Sequence, residues 1–215
     1  MVSCKFIGRL GNQMFQKAAA IGLAYKNNDT YTFEENNFPI FTERGFHFQD
    51  IKYSGDICLS GYFQSEKYFK HCRQKILDYF NFNAEPLKRV SIHVRRGDYL
   101  NVECHPVVTL EYLNKAINHF KNIGYNDKDF LMFTDDKEWC RANFPFEISN
   151  GNELEDIELM SRCEHNIISN SSFSWWAAWL NQNPNKIVIA PKKWFAGSKE
   201  NIDTSDLYCE NWIVI

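Results

Sequence analysis

The sequence predicts an α/β chain whose main body is a parallel sheet covered by helices on both faces. Two observations carry that prediction: short apolar runs alternate with amphipathic segments beyond Pro86, and the connections between them are short. A third is composition, since 44% hydrophobic residues in a chain of 215 are enough to bury a real core. The 24 Lys and Arg against 27 Asp and Glu leave a net charge of −3, which argues against an unselective nucleic-acid coat. No run of roughly 18 apolar residues exists, so no transmembrane segment is expected, and the first residues lack an apolar leader. The seven scattered cysteines form no Cys-x-x-Cys pair, which fits reduced thiols in a cytoplasmic protein.

Each element follows from local pattern. Val2 to Ile7 reads as a strand, Gly8 to Gln13 as a glycine-bearing turn, and Met14 to Lys26 as an amphipathic helix. Tyr31-Thr32-Phe33 is a second short strand. Between Asn36 and Pro86 the pattern blurs into aromatic-rich pieces such as Gly61-Tyr62-Phe63-Gln64, with one helix expected over Glu66 to Tyr79. Beyond Pro86 the expected strands are Arg89 to Val94, Asp129 to Thr134, Phe146 to Ile148, His165 to Ser169 and Lys186 to Ala190. The helices between them are Thr109 to Lys121, Lys137 to Asn143, Glu153 to Arg162 and Phe173 to Asn181, with Thr109 as an N-cap. The aromatic run Trp175 to Leu180 is expected in the core.

Open parallel sheets bind ligands beyond the C-terminal ends of their strands. One strand delivers His93-Val94-Arg95-Arg96-Gly97-Asp98-Tyr99 to that edge. Two adjacent guanidinium forks suit a pyrophosphate, while the plainer reading is a surface pair bridged to Asp98. Another strand delivers Asn170-Ser171-Ser172-Phe173-Ser174, where hydroxyls and helix-start N–H groups form an anion site; the plainer reading is N-capping by Ser172. A third delivers Asp135-Asp136, which either caps the next helix or holds a divalent cation, capping being preferred because Arg95 and Arg96 already bring positive charge. Asp156 lies in an acidic helix start, as solvated charge or as a carboxylate that reads a base.

Three motifs carry a resemblance: Gly8-Arg9-Leu10-Gly11-Asn12-Gln13-Met14-Phe15-Gln16, His93 to Tyr99, and Asn170-Ser171-Ser172-Phe173-Ser174-Trp175-Trp176-Ala177-Ala178-Trp179-Leu180. In that order they resemble the α-1,2-fucosyltransferases of glycosyltransferase family 11, within the group that also holds α-1,6 and protein O-fucosyltransferases. The resemblance implies a GT-B architecture of two Rossmann-like lobes. Residues 1–87 would form a reduced N-terminal acceptor-side lobe, and residues 88–215 the lobe that binds GDP-L-fucose. It further implies inverting transfer of fucose to a galactoside hydroxyl of a glycan, terminal galactose above all, with no metal or other cofactor. Arg95 would hold the β-phosphate with Arg96 beside it, His93 and Asp156 would meet guanine, and Ser171 to Ser174 the phosphates. Gly11, Asn12 and Gln13 fall in the loop expected to reach the fucose and acceptor, Asn12 as an orienting hydrogen bonder. The stretch before the arginine motif is shorter than the family pattern, which suits an acceptor site completed by a second copy in a homodimer.

Inverting transfer needs a base for the acceptor hydroxyl and cations for the departing GDP. Arg95 is the expected leaving-group stabiliser. For the base, Asp98, Glu103 and His105 all follow the arginine strand, and Glu103 comes first because Glu103-Cys104-His105-Pro106 resembles the place where α-1,6 relatives carry an acid. Two rival functions remain open: a transferase of another GDP-deoxyhexose, and an inactive module that only binds a GDP-sugar or glycan.

Overall fold

The computed structural model describes residues 1–82 and 85–215. Residues 83 and 84, beside the expected boundary at Pro86, lie outside the described residues. The chain divides into two compact units, one of Met1–Phe82 with Ile202–Cys209 and one of Asn83–Asn201 with Glu210–Ile215.

The first unit contains, in chain order, β1 (Val2–Cys4), α1 (Leu10–Lys26), β2 (Ile40–Thr42), β3 (Ile57–Ser60) and α2 (Arg73–Phe80). Its three strands are parallel in the order β1-β3-β2. Helix α1 begins four residues before the expected Met14, so Gly11, Asn12 and Gln13 are helical and the turn is confined to Gly8 and Arg9. Gly8 makes that reversal at φ +78°, a conformation that a Cβ disfavours. The buried Gln16 then fastens the turn: its amide donates to Ile7 O at 3.1 Å and accepts from Ile7 N at 3.1 Å. Tyr31 makes only an isolated bridge to Val2, so the expected second strand is absent; its ring packs against Phe33 and Tyr79 instead. The expected helix over Glu66 to Tyr79 is broken into two single 3₁₀ turns, Glu66–Tyr68 and Lys70–Cys72, before α2. Late in sequence, Asp206 returns to this unit, where its carboxylate accepts from Phe48 N at 2.8 Å and pairs with Lys67.

The second unit follows the predicted alternation: β4 (Leu87–Val94), α3 (Leu110–Asn122), β5 (Phe130–Thr134), α4 (Lys137–Asn143), β6 (Glu147–Ile148), α5 (Glu153–Arg162), β7 (Cys163–Ile167), α6 (Ser172–Leu180), β8 (Val188–Ala190) and β9 (Ile213–Val214). All six strands are parallel, in the order β6-β5-β4-β7-β8-β9. Counted within the unit, that is 3-2-1-4-5-6, a doubly wound Rossmann-like sheet. The core on one side joins Val90, Ile92 and Met132 of the sheet to Leu113, Ala116, Ile117 and Phe120 of α3, whose N-cap is Thr109 as expected. Helix α6 is buried throughout its aromatic run, with Trp175 and Trp176 fully covered. Strand β7 ends two residues earlier than expected, and α6 starts one earlier, so its N-cap is Ser171 rather than Ser172.

The order of strands fixes where a ligand belongs. The chain leaves β4 to one side through β5 and β6, then returns to the other side through β7. The crevice between the C-terminal ends of β4 and β7 is therefore the topological switch point.

Candidate active site

Strand β4 ends in His93-Val94 and releases Arg95 and Arg96 at the switch point. Both guanidiniums are held rather than loose. Arg95 gives Nε and Nη2 to Asp98 Oδ1 at 3.0 and 2.6 Å, and its Nη1 lies 3.1 Å from Asp135 Oδ2. Arg96 gives its backbone N–H to Asp135 Oδ1 at 2.8 Å and Nε to Asp136 Oδ2 at 3.0 Å, while its guanidinium lies 4.1 Å from the Trp139 ring centre. The plainer reading of the sequence, a bridge to Asp98, is thus present, and it is one part of a larger array. Gly97 is required by this packing: a Cβ there would come within 2.6 Å of Asp135 Oδ2. Two arginines meeting three carboxylates leave one net negative charge on this array.

The Asp135-Asp136 pair therefore serves the arginines. Asp136 also caps α4 by accepting from Trp139 N at 3.1 Å, the preferred reading of the sequence. Among the described residues, no group of three His, Cys, Asp or Glu side chains is arranged to hold a metal. The Trp139 N–H first, and Arg96 second, keep the Asp136 carboxyl below its ordinary 3.8. Such a carboxyl adds stability above its ordinary pKa, and that stability is lost as pH falls through the lowered value. Asp136→Asn keeps an N-cap of similar quality but removes the charge, so near neutral pH it should cost a few tenths to about 1 kcal/mol. Urea unfolding at falling pH should show this gap closing only once pH drops below the ordinary carboxylate pKa; a gap that does not narrow as the carboxyl is protonated contradicts the charge account.

Across the crevice, β7 leads into Ser169, Asn170 and the start of α6. Two hydrogen bonds tie this loop to the arginine strand. His93 Nδ1 lies 2.7 Å from Ser169 Oγ, and Tyr99 OH donates to Asn170 O at 3.1 Å. Burial pushes the His93 ring down to about 3 even though Asp135 favours its charge, so the imidazole is neutral at physiological pH. Its ring centre lies 5.4 Å from that of Phe173. Tyr99 also stands 5.6 Å beneath the Arg95 guanidinium and stacks on His105 at 4.8 Å. Burial raises its phenol to about 12, which keeps it a hydrogen-bond donor.

The serines differ from one another. Ser171 caps α6 by accepting from Phe173 N at 3.3 Å, and Ser172 and Phe173 are half-buried. The Ser174 hydroxyl points inward to Ser171 O at 3.3 Å, so the group it offers at the helix start is its backbone N–H. Those first-turn N–H groups and the helix dipole favour an anion at this end.

Asp156 is on the same strand-end side but beside β6, where its Oδ1 accepts from Ser149 Oγ at 2.5 Å. Burial raises its carboxyl above the ordinary 3.8 in spite of that bond. Glu103 is exposed, and its carboxylate lies so close to Gly197 that a Cβ there would come within 2.8 Å of Oε1. Gly11, Asn12 and Gln13 belong to the first unit. Gly11 is buried, Asn12 Oδ1 accepts from Gln64 Nε2 at 2.7 Å, and Gln13 Nε2 donates to Gly8 O at 3.1 Å.

Ser169, Tyr99 and Trp139 are site residues that the sequence pattern does not single out. Tyr99 lies inside the arginine motif, but nothing in its spacing shows a hydroxyl reaching Asn170. Ser169 and Trp139 become visible only once β7 and β5 are known to flank β4.

Comparison with known proteins gives the family. Residues 24–215 match the model described as glycosyl transferase family 11. The O-antigen biosynthesis glycosyltransferase WbnK of Escherichia coli is 36% identical, covering 73% of this chain and 60% of its own length. An alpha-1,2-colitosyltransferase of Escherichia coli is 35% identical, covering 84% of this chain and 72% of its own. Galactoside alpha-(1,2)-fucosyltransferase 2 of Bos taurus is 29% identical over 232 aligned positions, more than the 215 residues present here, so that relative carries insertions this chain lacks. The chain spans 60% of the first of these relatives, less than two thirds of its length.

Proposed function

Because the chain belongs to glycosyl transferase family 11, we propose that it is an inverting transferase that moves L-fucose from GDP-L-fucose to a galactoside hydroxyl, in α-1,2 linkage. The observation that carries this reading is the pairing, across one switch point, of two fixed guanidiniums with the N-terminus of α6. Arg95 and the α6 amides take the two phosphates of the donor, and Arg96 backs them from its stack on Trp139. The neutral His93 and the Asp156 carboxylate take the guanine edge. Asn12 orients sugar and acceptor by hydrogen bonding.

In the transfer, the acceptor oxygen bonds to the sugar's anomeric carbon as that carbon's bond to the β-phosphate oxygen breaks. Charge grows on the departing GDP, where the Arg95 cation lowers its energy without a metal. The acceptor proton passes to a base. Asp98 already accepts two hydrogen bonds from Arg95, which supports Glu103 ahead of it. The seven free thiols, five of them buried, support a reducing compartment such as the cytoplasm. No helix among the described residues is long and apolar enough to cross a membrane.

A second reading keeps the GDP grip and changes the sugar, which the colitosyltransferase relative favours. One experiment separates the readings: GDP-L-fucose, GDP-colitose and related donors are offered with galactosides in EDTA, and the product linkage is read by NMR. Fucosylated α-1,2 product is expected. Transfer of colitose alone supports the second reading, and GDP binding with no product from any donor overturns both in favour of a binding module.

A further inference from the structure

The segment after β3, Gly61 to Ser65, contains none of the site residues named so far, yet two side chains, one backed by a third, hold its backbone. Glu43 Oε2 accepts from Tyr62 N at 2.8 Å and Phe63 N at 2.7 Å, and its Oε1 accepts from Tyr68 OH at 3.1 Å. Gln16 Nε2 donates to Gly61 O at 3.0 Å. Phe63, fully buried, is kept at φ +52°, a region that an aromatic residue enters only when its surroundings require it. A buried carboxylate and a left-handed aromatic together are a costly way to shape five residues.

What they shape is the position of one amide. Gln64, 7% exposed, gives Nε2 to Asn12 Oδ1 at 2.7 Å. The other end of the Asn12 amide lies over Gly8, where a Cβ would stand 2.3 Å from Nδ2. An asparagine amide has one accepting end and one donating end, and here the accepting end is committed.

We propose that Gln64 is a positioning residue of the transfer reaction: by donating to Asn12 it compels that side chain to present N–H donors, so Asn12 recognises a substrate oxygen as an acceptor. Glu43 acts behind it, clamping the backbone that carries Gln64. The inference rests on the proposed reading of Asn12 as facing substrate.

Gln64→Glu tests it, because a carboxylate cannot donate. Asn12 must then turn over and offer its oxygen outward. At about pH 8 the turnover of Gln64→Glu should fall about 10²-fold, with GDP affinity by titration kept within about twofold. As pH is lowered toward about 5, its rate relative to the parent should recover, since the introduced carboxyl donates again once protonated. Gln64→Leu should be equally slow at every pH. Glu43 and Tyr68, the titratable groups holding the same segment, are present in all three proteins and cancel in the ratio. The ¹⁵N–¹H signals of the Asn12 side chain in Gln64→Glu should shift with the same titration, a readout that survives even if no sugar is transferred. Parental turnover in Gln64→Glu, the same pH-independent loss in both variants, or Asn12 signals indifferent to pH would overturn the proposal. If Gln64→Glu does not fold, Asn12→Asp decides: it keeps the acceptor and removes the donors, so it should lose as much turnover as Asn12→Ala, and retained turnover refutes the role.

Discussion

Arg95→Ala should lower turnover by about 10³-fold with the fold intact, the scale seen when one preorganised charge stabiliser is removed. The expectation follows from how the side chain is held. Its three nitrogens are engaged by Asp98 and Asp135, so the guanidinium is aligned before any ligand arrives. The loop is not a ready-made positive hole, however, because its carboxylates outnumber its arginines. A diphosphate must compete for Arg95, and Asp98 is the contact to yield, being 43% exposed against 26% for Asp135. The α6 amides must supply the rest of the neutralisation. Partly exposed pairs of this kind contribute about 0–1 kcal/mol each, so thermal unfolding of Arg95→Ala should differ little from that of the parent. Initial rates and a melting curve check both halves. Near-parental turnover contradicts the role of Arg95, and a collapsed melting curve contradicts the claim that the array serves function before stability.

Trp175→Ala should cost about 3–5 kcal/mol, a large part of the total for a domain of this size. Its ring is fully buried among Trp176, Trp179 and Trp212, at centroid distances of 5.3, 6.3 and 5.5 Å. Removing it leaves a cavity that three rigid neighbours are slow to fill. The same helix carries Ser171 to Ser174 at its start, so loosening its packing should also weaken GDP binding in whatever fraction stays folded. Chemical denaturation measures the loss directly, and a change below about 1 kcal/mol would show that α6 does not anchor this unit.

The second unit was legible because its strands are buried on both faces and its helices are amphipathic, which leaves a sharp alternation in the sequence. Strand β4, α4 and α5 fall within two residues of their expected bounds. The first unit was legible only at its start, where a strand from Val2 and a helix ending at Lys26 are present as expected. Strands β1 and β2 are three residues long, and β2 has both end residues exposed, so no period can be read from it. Strand β9 is two exposed residues and went unseen for the same reason. Within the site, Arg95, Arg96 and the Ser171 loop were visible as chemistry delivered by strand ends. Asp135 and Asp136 were visible only as helix caps or cation ligands, since their hold on the arginines depends on β5 lying beside β4. Gln64 lay hidden in an aromatic stretch, where only the tertiary contact with Asn12 gives it meaning.

The central claim, that Arg95 and the start of α6 grip the diphosphate of a guanosine donor, is tested most directly by calorimetric titration with GDP and GMP. The parent protein should bind GDP at least about tenfold more tightly than GMP, and Arg95→Ala should lose that preference while still binding GMP. Equal affinity of the parent for the two nucleotides, or a preference for GDP that survives in Arg95→Ala, would contradict it.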